Sequence, residues 1–198
     1  MIMDGFREPT GITRVAVVAV AIYMVIDLAS TIIRFIERVP GGIGDMLAVG
    51  VLVMLIACVV LVGRWIYVTN ANAHAFGTGE MSISPGWAVG WFFVPIANLF
   101  KPYEGMKETW QVSHNVGGLI EEAESPIVRW WWGLWIVTGI VGWVSIRLGG
   151  ISDTPLEGAY YFDLLTALLN VALSLVLIRL MRQLAHAQRV ARHGGVFS

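Results

Sequence analysis

The chain has a single cysteine, Cys58. It can therefore close no disulfide within itself and cannot build a cysteine-rich zinc site. Charge is scarce too: 14% of residues are Asp, Glu, Lys or Arg, where an ordinary soluble domain has about a quarter. The formal net charge of −1 offers no basic patch of the kind nucleic acid requires, so nucleic acid is not an expected partner. The four histidines, His74, His114, His186 and His193, all fall outside the apolar runs. A bis-histidine haem inside a bilayer is thereby disfavoured, and only weak grounds remain for an interfacial metal site made of His74, His114 and His186. No serine or cysteine nucleophile motif, phosphate-binding loop or dinucleotide fingerprint is present. The sequence names no catalytic residue, no metal ligand and no cofactor, and it leans away from an enzyme.

Apolar residues fill the composition instead. The 198 residues are 57% hydrophobic, with a mean hydropathy of +0.71 and several apolar runs near 20 residues long. That is enough for a helix to cross a hydrocarbon core about 30 Å thick. The pattern predicts an all-α integral membrane protein with the lipid bilayer as its surroundings. It has four transmembrane helices, at about 12–33, 45–65, 129–148 and 160–181. Together they form one transmembrane domain, 12–181, between a flexible tail at 1–11 and a basic tail at 182–198. Arg7 and Arg14 ahead of the first run imitate a signal peptide, but Asp27 interrupts that run and further spans follow, so the first helix is read as uncleaved.

Between the second and third runs lies an apolar stretch that cannot be one straight helix. Ser84-Pro85 has the form of an N-cap followed by proline at the first helical position. The run from Pro85 to Val94 is too short to span, and Pro95 breaks it. Gly86 and Gly90 are spaced for close approach to another helix. Backbone groups freed at membrane depth need partners, and Asn98 is the expected one. The expectation is a re-entrant segment over 85–100, followed by an interfacial amphipathic helix over 100–114. The rival is a fifth, kinked span. Basic residues decide between them. With four spans, ten Lys and Arg fall on the side of both termini and three on the other, which places the termini in the cytoplasm of a multi-pass cell-membrane protein, whereas five spans dilute that bias.

Polar residues inside the runs are few and patterned. Tyr23, Asp27, Ser30 or Thr31, and Arg34 recur every three or four residues and share a helix face. A charge at the bilayer centre costs roughly 2.5–3.5 kcal/mol even on insertion scales, so Asp27 is expected to face protein or water. Its expected partner is Arg34 or Arg147, unless it handles protons or cations. Asn170 and Ser174 are expected to hydrogen-bond between helices. Trp130, Trp131, Trp132 and Trp135 read as an interfacial aromatic belt.

The run Pro85-Gly86-Trp87-Ala88-Val89-Gly90-Trp91, then Val94-Pro95-Ile96-Ala97-Asn98-Leu99 and Lys101-Pro102-Tyr103, resembles the core motif of a bacterial membrane family, domain of unknown function 4328. Trp65, Asn70 and Asn72-Ala73 upstream, and Glu108 with Trp110 downstream, resemble its flanking elements, while Phe92-Phe93 departs from an expected second tryptophan. The resemblance implies a multi-span protein of the bacterial inner membrane and carries no catalytic residue. Two functions are open, and the sequence favours the first. One is a non-catalytic protein acting through a membrane-protein partner or as a homo-oligomer. The other is a carrier or sensor of a small molecule, lipid or ion, with its site at the broken helix. The residues for such a site are Asn70, Asn72, Trp87, Trp91, Pro95, Asn98, Tyr103, Glu104 and Glu108, with Asp27, Arg34 and Asn170 as intramembrane polar groups.

Overall fold

The structure is a computed structural model and describes residues 5–37, 42–76, 81–115, 126–149 and 157–194. Among these residues there is no strand, and four helices are long and apolar enough to cross a membrane. They are α1 (Thr10–Glu37), α2 (Ile43–Phe76), α5 (Pro126–Gly149) and α6 (Glu157–Gly194). Two shorter helices, α3 (Pro85–Gly90) and α4 (Lys101–Asn115), lie between α2 and α5 in sequence.

The long helices pack as a row: α2 on α1, α1 on α6, and α6 on α5. The two outer members, α2 and α5, are not a packed pair. At 34 and 38 residues, α2 and α6 measure about 51 and 57 Å, well beyond a core about 30 Å thick. Their surplus turns project at the end of the bundle where α1 begins, here called the base. There α3 packs on α2, while α4 packs on α2, α5 and α6.

Two kinds of cohesion follow. At the base, Trp65, Met106, Trp110, Val128, Trp131, Leu180, Met181 and Leu184 form one buried cluster. Removal of such side chains from water is worth about 1.5–3 kcal/mol each. Along the spans, lipid is as apolar as leucine, so helices gain by shape and by interhelical hydrogen bonds. The outer face of α2 accordingly leaves Val49, Leu52, Val53, Ile56 and Val60 exposed. The small residues of α5 serve its contact with α6: Thr138 and Ser145 are buried, and a Cβ on Gly142 would meet Thr166 Cγ2 at 3.5 Å.

The central stretch is broken where its proline requires. α3 tightens into a 3-10 turn at Trp91–Phe93, the chain extends at Val94, and a second 3-10 turn at Ala97–Leu99 leads into α4. Between them the Ala97 N–H donates to the Pro95 carbonyl at 2.8 Å, with Ile96 at φ 67°, ψ −52°. That is a γ-turn of positive φ, a rare and strained form, and a β-branched residue there is an outlier. Ser84 occupies the N-cap position of α3 with Pro85 after it, but its side chain makes no capping bond.

Three local expectations are corrected. Gly86 has no atom within 4 Å of a built Cβ, and the nearest neighbours at Gly90 belong to Trp87 of its own helix, so neither glycine serves a helix contact. The side chain of Asn98 makes no hydrogen bond to a described residue. The broken backbone instead closes on itself, with Asn98 N–H donating to Val94 O at 2.9 Å and Leu99 N–H to Ile96 O at 3.0 Å. The indole of Trp132 supplies the remaining partner, donating to Leu99 O at 3.1 Å. Trp131 and Trp132 are core residues, not belt residues. Trp132 stacks on Trp135 at 4.6 Å between centroids, and Phe92 meets both edge-on.

Candidate functional site

Because α2 and α5 stand apart, a cleft of about 340 Å³ runs between them. This volume is at the lower end of the range of small-molecule sites. α2 forms one wall through Cys58, Val59, Val62 and Gly63, and Trp131 and Trp135 of α5 form the other. Val89, Phe92 and Phe93 close the end nearest the base. The broken stretch thus meets the cleft through the turn before Pro95, not through Pro95 or Asn98.

The floor comes from α1 and α6, and its polar groups gather on it: Tyr23, Asn170 and Ser174. Asn170 and Ser174 are one helical turn apart, so they share a face of α6. Asn170 Nδ2 donates to Asp27 Oδ2 at 3.0 Å and lies 3.5 Å from the Tyr23 hydroxyl. Asp27 is therefore held by Asn170. Arg34 pairs instead with Asp163, at 3.8 Å, and Asp163 also accepts from the Ser145 hydroxyl. Arg147 lies apart, with its guanidinium 5.0 Å above the Trp143 ring. Among the described residues, the lining of the cleft carries no charged side chain.

A second polar assembly lies buried at the base. Asn72, fully buried, clasps the main chain of Arg7: it accepts from Arg7 N–H at 2.8 Å and donates to Arg7 O at 2.8 Å. It also donates to Gln188 Oε1 at 3.0 Å. Gln188 in turn donates to Thr69 O at 2.8 Å and Ser113 Oγ at 3.0 Å. Asn70 donates to Thr109 Oγ1 at 2.9 Å. Residues 5–9, which read as a free tail, are tied down here. Phe6 packs on Phe76 at 5.8 Å, with Arg192 5.0 Å above its ring. The hydroxyl of Thr10 donates to Glu8 at 2.5 Å and holds that carboxyl below its ordinary range, helped by Arg192 and Arg189.

The remaining site candidates are placed as follows. Glu108 accepts from the N–H groups of Ser82 and Ile83 at 3.2 and 3.3 Å, which fixes the approach to α3. Glu104 pairs with Lys101 at 2.5 Å on the surface. Trp87 is exposed and lies against Trp91, 4.5 Å between centroids. Trp91 and Tyr103 pack against the base cluster. Pro95 is exposed at the turn. Of the twelve candidates, Asn170 alone lines the cleft, and Asp27 stands directly behind it. Among the described residues no group of three or more His, Cys, Asp or Glu is placed to hold a metal. His114 stacks on Trp110 at 4.0 Å, and burial pushes its pKa below the ordinary value, with nearby His186 acting in the same sense.

Sequence reasoning passed over Asp163, Gln188 and the aliphatic walls. Asp163 and Gln188 were findable, since Asp163, Asn170 and Ser174 fall seven and four apart on one face of α6, and Gln188 continues it two heptads on. The walls carried no signal, because a valine facing a cleft and a valine facing lipid look alike.

Residues 42–186 match the family model described as Domain of unknown function (DUF4328). No curated protein and no solved structure matches the chain.

Proposed function

We propose, for a chain that belongs to the DUF4328 family, that it holds an uncharged, largely apolar molecule within the membrane, in the cleft between α2 and α5, as a carrier or sensor. The observation that carries this reading is the cleft itself: about 340 Å³, open between two helices that do not pack together, apolar on its walls and without a charge. Such a space admits lipid-soluble matter and disfavours ions, whose transfer into it would go uncompensated. Coupling to the rest of the molecule would run through Phe92 and Phe93, which line the cleft from a segment under backbone strain.

In this reading the base faces the cytoplasm of a bacterial inner membrane, on the strength of its ten basic residues. The segment 85–100 dips into the adjacent leaflet, where exposed Phe93, Ile96, Leu99 and Phe100 find lipid. α4 then lies at the interface, its buried Met106, Thr109 and Trp110 turned to the bundle. Association with a partner or with a second copy is the competing function. Thr138, Gly142 and Ser145 of α5 lend it no support, since they serve the contact with α6.

Native mass spectrometry of protein released from lipid nanodiscs tests the proposal. Wild type should retain a bound small molecule. Val59→Trp, which obstructs the mouth from a half-exposed position, should lose it, while Val49→Trp on the outer face of α2 should keep it. A ligand-free oligomer of fixed size, unaffected by Val59→Trp, would refute the proposal in favour of association.

A further inference from the structure

The floor of the cleft has a definite hydrogen-bonding polarity. Asn170 has one donor group and one acceptor, and Asp27 decides which is which. A carboxylate oxygen 3.0 Å from the amide accepts only from its Nδ2. The other amide atom, Oδ1, is thereby fixed as an acceptor, and it has no partner among the described residues. Two donors stand beside it. The Tyr23 oxygen lies 3.5 Å from Asn170 Nδ2, so its O–H proton is uncommitted. Ser174 is buried in the cleft floor one turn along α6, and its hydroxyl also has no partner among the described residues.

We infer that the ligand of this cleft is a long-chain molecule ending in a neutral hydroxyl group, a fatty or isoprenoid alcohol by class, with its hydroxyl seated on Asn170, Tyr23 and Ser174. A hydroxyl is the smallest group that both donates, to Asn170 Oδ1, and accepts, from Tyr23 or Ser174. A carboxylate would meet the Asn170 acceptor with another acceptor and would bring an unpaired charge to a cleft without a cation. A plain hydrocarbon would leave Asn170 Oδ1, the Tyr23 O–H proton and the Ser174 hydroxyl without partners. The apolar body then lies along Val62, Phe92, Trp131 and Trp135. Asp27 touches no part of the ligand: it is a positioning residue that sets the direction of the Asn170 amide. This inference rests on the proposed function above and adds the chemistry of the head.

The experiment uses wild-type protein in nanodiscs with photoactivatable sixteen-carbon probes, each bearing a diazirine on the chain: the alcohol, its methyl ether and the corresponding acid. Labelled peptides are mapped by mass spectrometry. The alcohol should label α2, α5 and α6 peptides of the cleft with an apparent affinity about tenfold above the ether, roughly what one hydrogen bond supplies. The acid should be weaker still. Ser174→Ala removes a donor that the ether oxygen uses as well, so it should reduce labelling by alcohol and ether alike, about threefold, and leave the gap between them in place. Asp27→Asn, which frees the amide to turn over, should narrow the gap between alcohol and ether. Equal cleft labelling by alcohol and ether, or a preference for the acid, would overturn the inference and leave the cleft as a ligand site. No cleft labelling by any probe would overturn both.

Discussion

Asn72 separates a structural clasp from a ligand-binding residue. Its side chain makes three hydrogen bonds, two to the main chain of Arg7 and one to Gln188 Oε1. Replacement by alanine removes all three, each worth about 0.5–1.5 kcal/mol net. It also strands the Gln188 acceptor, which is fully buried, at about 1–3 kcal/mol. Allowing for some relaxation, Asn72→Ala should destabilise the protein by about 2–4 kcal/mol. It should also release residues 5–9, whose anchor at Arg7 is gone. Unfolding in mild detergent measures the first effect, and hydrogen exchange at the Arg7 amide the second. The control is Glu8→Ala. It removes a half-exposed ion pair with Arg192 at 3.3 Å, a class of interaction with a median worth of about 0–1 kcal/mol. A loss below about 0.5 kcal/mol in Asn72→Ala, with the Arg7 amide still protected, would refute the clasp.

Three further outcomes are expected. Ile96→Gly should stabilise the protein by about 1 kcal/mol in the same unfolding assay: strain of about 1–3 kcal/mol at φ 67° is relieved, the flexibility of glycine offsets part of it, and the exposed side chain loses little. Trp132→Phe keeps the aromatic stack but removes the donor to Leu99 O, and should cost about 1 kcal/mol with faster exchange across 96–100. The third concerns pH. Burial and His186 hold the His114 pKa below its ordinary 6.5, so the unfolded chain takes up a proton before the folded one does. The contribution of His114 is complete above pH 6.5 and is lost as pH falls from there toward its lowered pKa. His114→Gln should flatten the unfolding profile in that window, and an unchanged slope would count against the assignment.

How much of this was legible in the sequence depends on the physics of each element. Four long apolar helices were legible because a 20-residue apolar run is a matter of composition alone. The break at Pro95 was legible because a proline lacks its N–H wherever it stands. Asp27 and Asn170 were legible as polar groups that must find partners, and they find each other. What could not be read was pairing across the bundle. Asn72 looked like a site residue because its partner is the main chain of Arg7, 65 positions away, in a segment whose polar composition suggested a free tail. Asn98 looked like the partner of the broken backbone because the alternatives, a γ-turn and the indole of Trp132, leave no local signature. The cleft was invisible for a related reason: it exists because α2 and α5 are not a packed pair along their length, and a missing contact writes no pattern into either helix.

The most direct test of the central claim is what fills the cleft in a bilayer. Solid-state NMR on protein with labelled Phe92 and Leu173, two residues of the cleft lining, can record through-space transfer from either water protons or methylene protons. Strong transfer is expected from the methylene chain of a bound molecule to both side chains, none from water, and loss of the methylene signal at Leu173 in Val59→Trp. Transfer from water alone would make the space an aqueous vestibule and would refute a cleft that holds an apolar molecule.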